Sequence, residues 1–372
     1  MSYRVDNIAP MDALRLASWR MRNLGLHAAT DTTPQGVVGR LGAVQSQDYG
    51  PATWSVGERI SGAREDLVHG EFADGALLRT HVLRPTWHFV TPDDICWMLA
   101  LTGPRVHQLN AYYYRQLGLD EQLRGRCSGL LSEALAGTQL TRKELTALFQ
   151  EAGIGTEGFR MAYILMHAEL EGLICSGAMK GKQHTYALLA DRAPQARTLE
   201  PDEALAELTL RYFSSHGPAT VKDFRWWSSL TQAEIRRGIG LVGDRLDSLT
   251  VDGLTYWFAG EPPRTPAPDG PVAHLLQGYD EYLVGYTESK HLLDLGGVGD
   301  GQRWDRPVFN GVLIIDSQVA GHWKRTVGRT GVAIEILVYA PLDPGRSAAV
   351  QAAADHHGRF LGLPATVTTT AL

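Results

Sequence analysis

Three times within the first 260 residues, helical apolar periodicity gives way to two short strand-like runs around a tip, and this recurring order constrains the fold most. The first pass predicts helices over Met11–Gly25, Pro34–Val44 and Pro51–Ile60, then strands over Leu77–Arg84 and Thr86–Thr91. Thr32 or Thr33 can cap the second helix, with Pro34 in its first turn. The second pass starts near Leu140, where Thr141-x-x-Glu144 fits a capping box. An amphipathic helix over Gly158–Gly172 follows, then strands Leu173–Ser176 and Thr185–Leu189 around a basic tip, Met179–His184. The third pass has helices Leu205–His216, Phe224–Ser228 and Ile235–Leu241, two of them preceded by Thr-x-x-acid boxes. It ends in a hairpin turning at Asp252-Gly253, a favoured tight-turn pair.

Helices followed by a short hairpin are the winged-helix order. Further helices are expected from Pro92 to Leu101 and from Pro104 to Leu117. Residues 261–271 are proline-rich and read as a linker. Beyond them the pattern is mostly strand, over Val308–Asp316, Val319–Arg325 and Gly331–Tyr339, with a closing helix from Pro344 to Leu361. The expected fold is α+β: winged helices over residues 1–135, 136–200 and 201–262, then a small β-barrel with a C-terminal helix over 272–372.

A net charge of −6 counts against indiscriminate nucleic-acid binding without excluding a local basic groove. The 3 cysteines, Cys96, Cys127 and Cys175, are far apart and form no disulfide framework or zinc spacing. Met1–Leu14 carries Arg4, Asp6 and Asp12 without an apolar core, which argues against a signal peptide, and no run is long and apolar enough to span a bilayer. No dimerisation helix is evident. The expectation is a cytoplasmic monomer without membrane, metal or cofactor.

Gln45-Ser46-Gln47-Asp48 lies between two predicted helices. Each glutamine amide has a donor and an acceptor, so the pair can hold a water or read a base edge. Spacing alone favours a plainer role, with Gln45, Gln47 and Asp48 satisfying free backbone groups between helices.

Four segments add to this motif in order: Leu83-Arg84-Pro85-Thr86-Trp87-His88-Phe89, Lys182–Leu189, Asp280–Tyr286 and Gly321–Arg325. With the tandem winged helices they resemble the winged-helix DNA glycosylases of the AlkZ and YcaQ type, over nearly the whole chain. In that family the AlkZ-like branch carries Gln-x-Gln and is associated with self-resistance to DNA-alkylating antibiotics, whereas the YcaQ-like branch carries Gln-x-Asp. Gln45 and Gln47 match the first pattern, and Ser46 departs from the apolar middle residue. The resemblance implies a monofunctional DNA glycosylase acting on N7-alkylguanine in double-stranded DNA, including bulky adducts and interstrand cross-links. Gln45 and Gln47 would hold the attacking water, and Asp48 could add a negative field near the sugar.

Candidate DNA contacts are Lys180 and Lys182 on the second tip, with Arg79, Arg84, Lys324, Arg325 and Arg329 along the same cleft. Lys324 and Arg325 are adjacent on a strand, so only one would meet DNA. His81 and His88 lack a third ligand at sensible spacing and read as satisfied core residues. Asp280 and Glu281 diverge in an extended segment and read as structural or DNA-orienting. Gly296–Gly301 lacks the ending of a phosphate loop. His356 and His357 are expected to face solvent. The rival readings are a non-catalytic winged-helix regulator of transcription and a protein-binding scaffold.

Overall fold

The computed structural model describes residues 12–27, 29–262, 270–297 and 311–371. The start of the chain, most of the expected linker, part of the glycine-rich run and the first residues of the strand expected from Val308 lie outside them.

Local chemistry sets most helix starts. In the first unit Asp12 accepts from Arg15 N to cap α1 (Ala13–Asn23), and Thr33 accepts from Gly36 N to cap α2 (Pro34–Leu41). The chain then enters β1 (Val44–Gln45), α3 (Tyr49–Gly57) and α4 (Glu65–Asp74), followed by the hairpin β2 (Leu78–His81) and β3 (Trp87–Val90). These strands form one sheet in the order β1-β3-β2. The helices expected on either side of Pro104 are one helix, α5 (Ile95–Gln116), with the proline inside it.

The second unit contains α6 (Glu121–Ala134), β4 (Leu140–Thr141), α7 (Arg142–Glu151), α8 (Arg160–Leu170), β5 (Ile174–Ser176), β6 (Thr185–Leu188) and the short α9 (Leu189–Arg192). Its sheet order, β4-β6-β5, parallels that of the first unit. The capping box of Thr141 and Glu144 is formed. The third unit comprises α10 (Pro201–Ser215), α11 (Val221–Ser228), α12 (Gln232–Val242) and the hairpin β7 (Asp247–Val251) and β8 (Leu254–Phe258). Asp252 and Gly253 both have positive φ at its turn, as a tight hairpin requires. α1 reaches across to this hairpin: Trp19 lies 4.6 Å from Phe258, and Leu16 and Ala17 share a core with Tyr256.

The C-terminal region does not close into the expected barrel. β9 (Ala273–Leu276) is followed by the one-turn α13 (Glu281–Val284), then β10 (Gly311–Ile315), β11 (Gln318–Val327), β12 (Val332–Val338), α14 (Pro344–Leu361) and β13 (Ala365–Ala371). The five strands make an open sheet in the order β13-β12-β11-β10-β9, so among the described residues β9 and β13 are edges. β12 and β13 are parallel, and the chain between them is α14. A parallel pair needs such a crossover, and here its helix packs against β9 and β13 where closure would be needed. For the same reason His357 does not face solvent: it is fully buried between Trp54 and Trp323, while His356 is half-buried.

One apolar core runs through the first and third units and the C-terminal sheet. The second unit has its own, built on residues such as Leu131, Leu145, Phe149 and Ile164. No described helix is long and apolar enough to cross a membrane.

Candidate active site

Gln45 is on a strand, not in a turn between helices. β1 pairs with β3, setting Gln45 opposite His88, and Ser46 N donates to Trp87 O at 2.7 Å. β1 ends at Gln45, and Gln47 lies in the bend that leads into α3. Gln45 is 6 % exposed, whereas Gln47 and Asp48 are open to solvent. Ser46 is fully buried, and its hydroxyl has no partner among the described residues. Asp48 takes the N-cap position of α3, but its side chain makes no capping bond. Its carboxylate instead faces solvent within the fields of Arg79 and Arg325.

Both glutamine side chains are held by the β2–β3 hairpin. Arg84 Nη2 donates to Gln45 Oε1 at 2.8 Å, and Trp87 N donates to Gln47 Oε1 at 3.3 Å. Each amide oxygen keeps a second lone pair. Leu83 has φ +64°, a conformation unfavourable for a residue with a branched side chain, and its side chain is fully buried. This turn directs the next residue, Arg84, back onto Gln45. Arg79 acts on the backbone of the same segment. Its Nε donates to Ser46 O at 3.0 Å, its Nη2 to Gln47 O at 3.4 Å, and its guanidinium lies 4.3 Å from the Trp87 ring.

Beneath Gln45 sits Glu281, whose role sequence reasoning missed. Its Oε1 accepts from Gln45 N at 2.8 Å, and its Oε2 accepts from Trp227 Nε1 at 2.8 Å and lies 3.2 Å from His216 Nε2. Burial pushes this carboxyl up, but His216, Arg84 and the Gln45 amide outweigh burial and hold it down to about 2. The site therefore contains a fixed negative charge one layer below the glutamines. His88 is neutral: burial and then Arg84 push it down to about 3. The segment is not extended, since Asp280 caps α13 and Glu281 begins it, but the two acids still diverge, with Asp280 bonding Arg59 at 2.8 Å.

A family model described as DNA glycosylase AlkZ-like matches residues 38–360. This chain belongs to the AlkZ-like DNA glycosylase family. It is 28 % identical over 323 residues to a Streptomyces sahachiroi protein named interstrand DNA cross-link repair glycosylase, covering 82 % of this chain and 86 % of that one. The solved structure of Streptomyces sahachiroi DNA glycosylase AlkZ aligns with a TM-score of 0.80 at 25 % identity, covering 97 % of this chain and 100 % of that one. The chain is accordingly a DNA glycosylase, a hydrolase of the N-glycosyl bond.

In this AlkZ-like chain two further regions approach the residues that follow the glutamines. His184, at the base of the second hairpin, packs 4.8 Å from Tyr49. Arg325, from β11, reaches the neighbourhood of Gly50 and bonds His357 at 2.8 Å. Lys180 is exposed and paired with Glu144 at 2.7 Å, while Lys182 is exposed at the same tip. Lys324 is exposed and paired with Glu335 at 2.9 Å, and Arg329 is exposed in the β11–β12 turn. Arg79 is buried, and Arg84 is half-buried. His81 pairs with Glu169, and His88 Nδ1 bonds Thr86 O at 2.9 Å, so the two histidines are each satisfied separately. A cavity of about 1070 Å³ between α14 and the segment after α3 includes neither glutamine. A polymer substrate needs an open surface, and the exposed Gln47 and Asp48 provide one.

Proposed function

We propose that this AlkZ-like glycosylase releases N7-alkylguanine from double-stranded DNA, including bulky adducts and interstrand cross-links, with Gln45 and Gln47 holding the attacking water. The name of the Streptomyces relative, an interstrand DNA cross-link repair glycosylase, supports the cross-link part of this reading. The observation that carries the mechanism is the fixed pair of amides, with Gln45 anchored by Arg84 and Glu281 and Gln47 by the Trp87 amide at the protein surface.

Alkylation at N7 leaves guanine positively charged, so the base departs as a neutral molecule. No strong acid is required at the leaving group. The remaining tasks are to place water at C1′ and to favour positive charge on the sugar. A glutamine amide is not a base at neutral pH, so its contribution is orientation. Asp48, exposed and free of capping duty, is suited to favour an oxocarbenium-like sugar through its charge. Arg79 and Arg84 act as positioning residues, and the exposed Lys182 and Arg329 meet phosphates. Lys180, Lys324 and Arg325 can contribute after exchanging their present partners. Three winged-helix modules present this surface, and the enzyme works as a cytoplasmic monomer.

The deciding experiment is base release from duplex carrying N7-methylguanine, with binding measured in parallel. Converting both Gln45 and Gln47 to alanine is expected to lower base release by roughly 100-fold or more while binding changes little. Equal loss of both would make the motif structural, and unchanged base release would remove the glutamines from the mechanism.

A further inference from the structure

α5 and α8 bring together three side chains that the glycosylase reading does not use. His107 Nε2 lies 2.9 Å from Glu171 Oε1, and His167 Nε2 lies 3.9 Å from the same oxygen. One ligand atom from each of the three lies within 4.8 Å of the others. His167 and Glu171 are one helical turn apart and so share a face. The His107 ring is oriented from behind, with Nδ1 2.9 Å from the Tyr114 hydroxyl. A proton on Nδ1 leaves the Nε2 lone pair facing the cluster. The group opens onto a cavity of about 610 Å³ that also includes Arg115 and Arg124.

We propose that His107 Nε2, His167 Nε2 and Glu171 Oε1 bind one divalent transition-metal ion of the zinc, cobalt or nickel class, with water completing its coordination. Two imidazoles and one carboxylate suit these ions and not magnesium or calcium, which take oxygen ligands. Metal–ligand bonds of about 2.0–2.2 Å allow two donors on one ion to stand up to about 4.2 Å apart. The 2.9 and 3.9 Å pairs already meet that limit. The remaining pair, the two imidazoles, lies within 4.8 Å, so a small movement of one of these half-buried rings completes the set. Arg115 and Arg124 oppose a bare dication, so affinity rests on the inner-sphere bonds, and the open position favours an anion.

A bound ion would join the middle of α5 to the end of α8. Between these two ligands, Glu169 points to another side of α8, pairing with His81 and accepting from Trp87 Nε1 at 3.3 Å. The ion would thus stiffen the helix that supports the hairpin bearing Arg84 and Trp87. Its role would be structural, and catalysis by the glutamine pair does not depend on it.

The test uses the full chain without an affinity tag, stripped with chelator and titrated with Co²⁺ while visible absorption is read. The expected result is one Co²⁺ per chain with a nitrogen–oxygen ligand spectrum, displaced by Zn²⁺, and a higher Tm with Zn²⁺. Tyr114→Phe should weaken Co²⁺ about 10-fold, as loss of an outer-shell partner does. The His107→Ala/His167→Ala double variant should lose more than the roughly 100-fold upper end of that range. Base release by each variant serves as the folding control. Absence of saturable Co²⁺ binding by the unmodified chain, or equal binding by the double variant, overturns the proposal.

Discussion

The β2–β3 and β5–β6 hairpins occupy matching places in sheets of the same order, yet they use cationic residues in opposite ways. The first turns its charge inward. β2 is wholly buried, and Arg79 and Arg84 bond to Ser46, Gln47 and Gln45. The second leaves Lys180 and Lys182 exposed. A buried cation works through geometry and is shielded from added salt, whereas an exposed one binds phosphate by releasing counterions. A shared supersecondary order therefore does not imply a shared role, and the environment of each cation decides whether it positions or attracts.

The strongest way to break this contrast is Arg84→Met. It removes the anchor of Gln45 and one of the positive charges near Glu281. Base release should fall by about 100-fold with little change in the salt slope of binding. A salt slope that fell with the activity would place Arg84 on phosphate instead.

The first hairpin contributes to the pH dependence of stability, alongside other buried histidines such as His357. His88 is held at about 3, below its ordinary 6.5, so the unfolded chain takes up a proton that the folded chain refuses. This contribution is complete above pH 6.5 and is lost as pH falls toward about 3. Glu281, held at about 2 against 4.5, adds stability that is complete above pH 4.5 and is lost below it. Denaturant midpoints should decline throughout this range. His88→Asn should flatten the upper part of the slope, and Lys182→Ala should leave it unchanged.

A smaller effect sharpens the second side of the comparison. Lys182→Ala should weaken lesion-independent DNA binding several-fold and reduce the salt slope by about 1, with single-turnover base release at saturation unchanged. The smallest effect tests Ser46. Its buried hydroxyl lacks a partner among the described residues, so Ser46→Ala should raise stability by about 1 kcal/mol with the activity retained. A loss of stability on equilibrium unfolding would mean that the hydroxyl is satisfied.

The candidate site was legible in part. Gln45 and Gln47 stand out because polar pairs are unusual beside an apolar stripe, and the Thr141–Glu144, Thr220–Asp223 and Thr231–Glu234 boxes are formed because capping is settled within four residues. Glu281 lay hidden because its bond to Gln45 spans 236 residues, and no local spacing signals such a contact. Asp48 stands at the expected N-cap position, but its carboxylate makes no capping bond. The barrel failed because closure depends on which edges meet and not on where strands begin.

Periodicity and capping chemistry are short-range, so the chain's own sequence determined where most helices and hairpins form. Burial and long-range pairing decided the rest. They turned Arg79 and Arg84 inward, put a carboxylate under Gln45, laid α14 across an open sheet, and brought His107 to His167 and Glu171. Each of these depends on removing charges or apolar surface from water between segments far apart in the chain, a free energy that exists only once the segments have met.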